Sequence, residues 1–195
     1  MLLPSTRLLG TPVMSLQTGG QLARTKQAVI DPRNLMILGY ELEGQSLDEQ
    51  PSFLRIDEIR ELSNLGVIVD SSDDFIGVND VIKFKEVYDF HFELIGKFVQ
   101  DERKHKLGRV IDYSLEPASF LIKQLTVRRP ILKSFSDTEL LIDRTQIVEV
   151  TDTTVTIKND ERQPSPARQA TKAFTNPFRG TSAQPETITN QSDQR

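Results

Sequence analysis

The chain has no cysteine and no tryptophan. The first absence excludes disulfides, thiol nucleophiles and thiolate metal sites, and it fits a reducing compartment. The second removes the largest base-stacking side chain. No apolar run approaches the roughly 20 residues that cross a bilayer as a helix. The opening MLLPSTRLLG is broken by Pro4 and Arg7, which a secretory leader would not tolerate. A cytoplasmic protein without direct membrane insertion is the expectation.

Catalytic patterns are missing too. There is no G-x-S-x-G, no phosphate loop and no H-E-x-x-H. Only two histidines are present, His91 and His105. His105 sits among Arg103, Lys104 and Lys106, whose charge disfavours a metal cation. His91 alternates with Phe90 and Phe92, so it is expected to face solvent between buried aromatics. The acids Asp70, Asp73, Asp74 and Asp80 lack the spacing and terminal Glu of a calcium loop and read as a solvated hairpin. No enzyme, metal or cofactor is expected.

What is present is a pattern written twice. The 195 residues are 37% hydrophobic and 27% charged. At a shift of 86, Leu9, Gly10 and Val13 fall on Ile95, Gly96 and Val99. At 85, Leu22, Arg24 and Pro32 fall on Leu107, Arg109 and Pro117, and Leu35 to Leu42 on Phe120 to Val127. At 88, IRELSNLGVIV (59–69) falls on IVEVTDTTVTI (147–157). The small drifts fall at turns, as expected of two copies of one fold. Leu22 and Leu107 are expected in the core, with Gly20 and Gly108 giving backbone freedom. The matched turns differ, GGQ against KHK, and that divergence is where function is sought.

Alternating apolar and polar residues, as in Tyr40-Glu41-Leu42 and Leu125-Thr126-Val127, mark strands with one buried face. Turns every 8–12 residues predict small β-barrels. VIKFKEVYDFHF (81–92) is rich in β-branched and aromatic residues and reads as a strand passing directly into the second copy. Short helical turns are expected within 46–60, after Pro51, and within 136–143, each before the last hairpin of its copy. The organisation predicted is 1–88, 89–160 and a disordered tail, 161–195, rich in Pro, Gln, Ser and Thr.

The second copy carries Ile95-Gly96, Val99, Leu107-Gly108-Arg109-Val110-Ile111, Glu116-Pro117 and an apolar strand from Leu121 to Val127. The first keeps Leu9-Gly10, Val13, Leu22, Ile30-Asp31-Pro32 and Met36 to Leu42, with Ala23 in place of Gly108. This pattern resembles the PRC-barrel domain, as a tandem pair over about residues 5–158. The resemblance implies two small, mostly antiparallel barrels packed together. The family fold occurs in the photosynthetic reaction centre H subunit and in the C-terminal domain of the ribosome maturation factor, which binds a ribosomal protein. An adaptor without a shared active site is therefore implied.

Charge narrows the search. Residues 1–90 hold 8 Lys/Arg against 14 Asp/Glu, whereas residues 91–160 hold 11 of each. Arg103, Lys104, Lys106 and Arg109 form one basic group, with Lys123, Arg128, Arg129 and Lys133 further on; pairing of their strands would merge them, and Asp101, Glu102 and Asp112 dilute them. Scattered solubilising charge is the simpler reading of these residues; as a patch they would suit RNA phosphates or the acidic first half of a second copy of the chain, with another protein, a ribosomal protein or RNA as the expected partner. In the tail, Phe174 and Phe178 resemble the anchors of a short linear motif. Non-enzymatic docking through barrel edges and loops is the expected function; a role in RNA or ribosome assembly is the alternative.

Overall fold

The repeat is written into the strand pairing. The computed structural model describes residues 1–45, 47–129 and 139–158. The predicted tail with Phe174 and Phe178, and Lys133 of the basic group, lie outside them. After β1 (Leu3–Pro4), the first half runs β2 (Pro12–Ser15), β3 (Gln21–Asp31), β4 (Met36–Glu43), β5 (Ser52–Arg55), β6 (Glu61–Ser63), β7 (Gly66–Val69), β8 (Phe75–Gly77) and helix α1 (Ile82–Tyr88). The second half runs β9 (Phe98–Asp101), β10 (Lys106–Glu116), β11 (Leu121–Arg128), β12 (Glu139–Asp143), β13 (Ile147–Val150) and β14 (Thr154–Ile157).

In the first half β3 pairs with β2 and β4, β4 with β5, β6 with β7, and β2 lies parallel to β7. In the second half β10 pairs with β9 and β11, β11 with β12, β13 with β14, and β9 lies parallel to β14. All 14 described strands join in one open network. The protein is mostly β, as expected, with one α-helix among the described residues. No described helix is long and apolar enough to cross a membrane.

Matched residues build the core. Val13, Ile37, Leu54 and Val67 are each 0% exposed, and their counterparts Val99, Ile122, Ile142 and Val155 are 0–1% exposed. Burying each contributes about 1.5–3 kcal/mol. Side chains from both halves form one contiguous cluster, with Leu22 and Leu107 packed against its margin. The halves meet where Met36 of β4 pairs with Leu121 of β11.

Three local expectations change. Residues 82–88 are helical, not extended, because Phe84, Val87 and Tyr88 share one helix face and pack on Phe53 and Val29. That tertiary contact overrides their strand propensity. The helical turn expected within 46–60, after Pro51, is present, whereas the one expected within 136–143 comes just after that range. Ser52–Arg55 and Glu139–Asp143 are strands, and single 3-10 turns follow at Ile56–Glu58 and Arg144–Gln146. Asp143 caps the second turn in a box with Gln146. Finally, the left-handed residue in the first GGQ turn is Gly19, at φ 68°, rather than Gly20.

Candidate functional site

The strand register decides which cations come together. Arg109 of β10 lies opposite Phe98 on β9 and opposite Arg128 on β11, and Arg128 lies opposite Glu139 on β12. Strand alternation sends Val110 and Val127 into the core and leaves Arg109 and Arg128 outside. A register shift between Lys106 and Gly108 turns Lys106 to the same side as Arg109. The Arg109 guanidinium stacks 3.9 Å from the centroid of the Phe98 ring, and Lys106 Nζ lies 5.9 Å from it. Arg109 Nη1 also donates to the Gly96 carbonyl at 3.2 Å.

Gly108 lets this row close up. A Cβ there would overlap the Arg128 carbonyl oxygen, and the backbone is at φ +154°. The adjoining turn is held from within. Asp101, 6% exposed, accepts the His105 backbone N–H at 2.8 Å and meets His105 Nδ1 at 2.9 Å. Burial pushes the Asp101 carboxyl up, but the hydrogen bonds from His105 outweigh it and hold it below its ordinary value. Lys104, at φ 64°, and Arg103 stand exposed at the tip, and Arg129 follows Arg128 at the end of β11.

Lys123 does not join them. Its Nζ lies 3.5 Å from Glu116 Oε2, near the turn between β10 and β11. That is about 17 Å along the strand from Arg128, at ~3.3 Å per residue. The two basic groups therefore merge only through Arg109 and Arg128, which are hairpin partners.

The first half has the same frame with different chemistry. Arg24 donates to the Gly10 carbonyl at 2.9 Å, as Arg109 does to Gly96. Yet Arg24 lies opposite Pro12 on β2 and Glu43 on β4. The second half replaces Pro12 with Phe98 and Glu43 with Arg128, so an aromatic and a second cation stand where a proline and an acid did. Phe98 escaped the sequence reading; comparing matched positions across the repeat would have found it.

The other candidates serve structure. Asp74 accepts the backbone N–H groups of Asp70 and Ser71, Asp80 accepts that of Gly77, and Asp70 pairs with Arg60. His91 is exposed as expected, but Phe90 beside it is 53% exposed and only Phe92 is buried. Among the described residues no group of acids and histidines could hold a metal ion. Compared with known proteins, the chain matches no family model and no curated sequence.

Proposed function

We propose that the chain is a tandem pair of PRC-type barrels and acts as a non-enzymatic cytoplasmic adaptor. It holds the acidic face of a partner protein against Phe98, Lys106, Arg109 and Arg128. The equivalence of pairing in the two halves supports the tandem reading. The single observation that carries the docking reading is the Arg109–Arg128 pair. Like charges directly opposite on adjacent strands are unfavourable, so an arrangement with Glu139 on one flank only is best relieved by an external anion.

Between protein and RNA, the stacking geometry favours protein. The Phe98 face is covered by the Arg109 guanidinium at 3.9 Å, which leaves the cations, rather than the ring, to meet a ligand. A guanidinium fixed in this way suits paired hydrogen bonds to a carboxylate. The test is affinity purification of the full chain from its native cell beside an Arg109→Glu/Arg128→Glu variant of unchanged circular dichroism. Loss of a stoichiometric protein partner supports the reading. Recovery of RNA, lost on the same substitution, would instead support the ribosome-assembly alternative.

A further inference from the structure

The halves differ most at one edge. Gly39, Tyr40, Glu41 and Leu42 of β4 pair with Arg55, Leu54, Phe53 and Ser52 of β5. Their counterparts Gln124, Leu125, Thr126 and Val127 of β11 pair with Asp143, Ile142, Leu141 and Leu140 of β12 in the same register. In the first half β8 takes the far edge of β5, antiparallel, with Ile76 opposite Phe53. Helix α1 then lays Phe84 and Tyr88 5.1 and 4.8 Å from the Phe53 ring, which is 0% exposed. In the second half Leu141, matched to Phe53, is 58% exposed, and no described strand lies on the far edge of β12.

From this contrast we propose that the far edge of β12, which no described strand covers, accepts an antiparallel strand from a partner protein, as β5 accepts β8. The outer face specifies its chemistry. Glu139, Leu141 and Asp143 alternate on that face and are all exposed. Asp143 accepts the Thr145 backbone N–H and hydroxyl, which lower its pKa and keep it anionic. The incoming strand therefore carries an apolar residue opposite Leu141, flanked two residues away on each side by Lys or Arg. Self-pairing of β12 about Leu141 would set Glu139 against Asp143, so a second copy is the wrong occupant. An edge strand with an exposed leucine otherwise invites aggregation, which the two acids restrain until a basic strand arrives.

The inference extends the docking reading to a second surface and is tested separately from it. The probe is a blocked peptide, Thr-Arg-Thr-Ile-Thr-Arg-Thr, titrated into the full chain and followed by amide NMR. Shift changes and slowed hydrogen exchange at Leu140 to Asp143 are expected. Glu139→Lys/Asp143→Lys should weaken the peptide about tenfold by removing two cross-strand charge pairs and adding repulsion. N-methylation of alternate peptide amides should abolish the response, because backbone pairing is then lost. Equal binding of the N-methylated or an acidic peptide would overturn the proposal. So would β12 amides already protected in the free chain, whether protection falls on dilution, which identifies a second copy, or on removal of residues 159–195. A peptide response with an inert Arg109→Glu/Arg128→Glu variant would leave this edge standing and remove the basic row.

Discussion

Leu35 and Phe120 are matched across the repeat, share a left-handed backbone at φ 54° and 52°, and each accepts a hydrogen bond from the other half's strand. Ile37 N–H donates to Phe120 O at 3.1 Å and Ile122 N–H to Leu35 O at 3.0 Å. The junction is thus reciprocal, as in a two-fold dimer interface. A left-handed non-glycine residue costs roughly 1–2 kcal/mol. These side chains are only 3% and 7% exposed, and burial of that size contributes about 1.5–3 kcal/mol.

Burial should therefore outweigh strain at the junction. Leu35→Gly and Phe120→Gly relieve the backbone yet are expected to lower stability by about 1 kcal/mol or more, read by urea unfolding. Stabilisation by either glycine would contradict this.

Two glycines separate backbone strain from crowding. A Cβ at Gly10, φ 68°, would meet nothing within 4 Å, whereas one at Gly108 would meet the Arg128 carbonyl. Gly10→Ala should cost about 1 kcal/mol, the strain alone. Gly108→Ala should cost distinctly more and displace the Arg109 and Arg128 side-chain resonances. Equal melting temperatures for the two variants would refute the close approach.

Phe53 and Leu141 occupy matched positions with opposite burial. Phe53→Ala should cost about 3–5 kcal/mol, since it empties the contact under α1. Leu141→Ala should change stability by less than about 0.5 kcal/mol, as expected of an exposed side chain. Denaturant midpoints of the two variants decide the matter.

Asp31 sets an acid dependence. Arg33 Nε and Nη2 donate to its two oxygens at 2.8 Å each, and this pairing lowers the Asp31 pKa. The bond contributes stability above the unfolded value of about 3.9 and loses it as pH falls through the lower folded value. The stability difference between wild type and Arg33→Ala should be full at about pH 7 and shrink as acid protonates Asp31 at pH below its unfolded value. A difference that persists in acid would show that Arg33 acts through packing rather than charge.

The repeat, the strands and the core pairs such as Val13 and Val99 were legible because period-2 patterning and turn residues are local signals. Helix α1 was not legible, because its aromatic face is chosen by Phe53, which lies far away in sequence. The site was half legible. The basic residues were visible, but separating Lys123 from Arg128 requires the register of β10 on β11. Phe98 carries no charge and drew no notice until its opposition to Arg109 was known. That no described strand covers the far edge of β12 gains meaning only from comparison with β5, whose covering strand follows it in the chain.

Matched charge reversal in the two halves tests the central claim most directly. Arg24 and Arg109 share a frame, and only Arg109 faces Phe98 and Arg128. Partner retention by Arg24→Glu and Arg109→Glu should be compared quantitatively at equal folding. The account predicts retention near wild type for Arg24→Glu and loss for Arg109→Glu. Equal retention by both, or loss with Arg24→Glu alone, would contradict it.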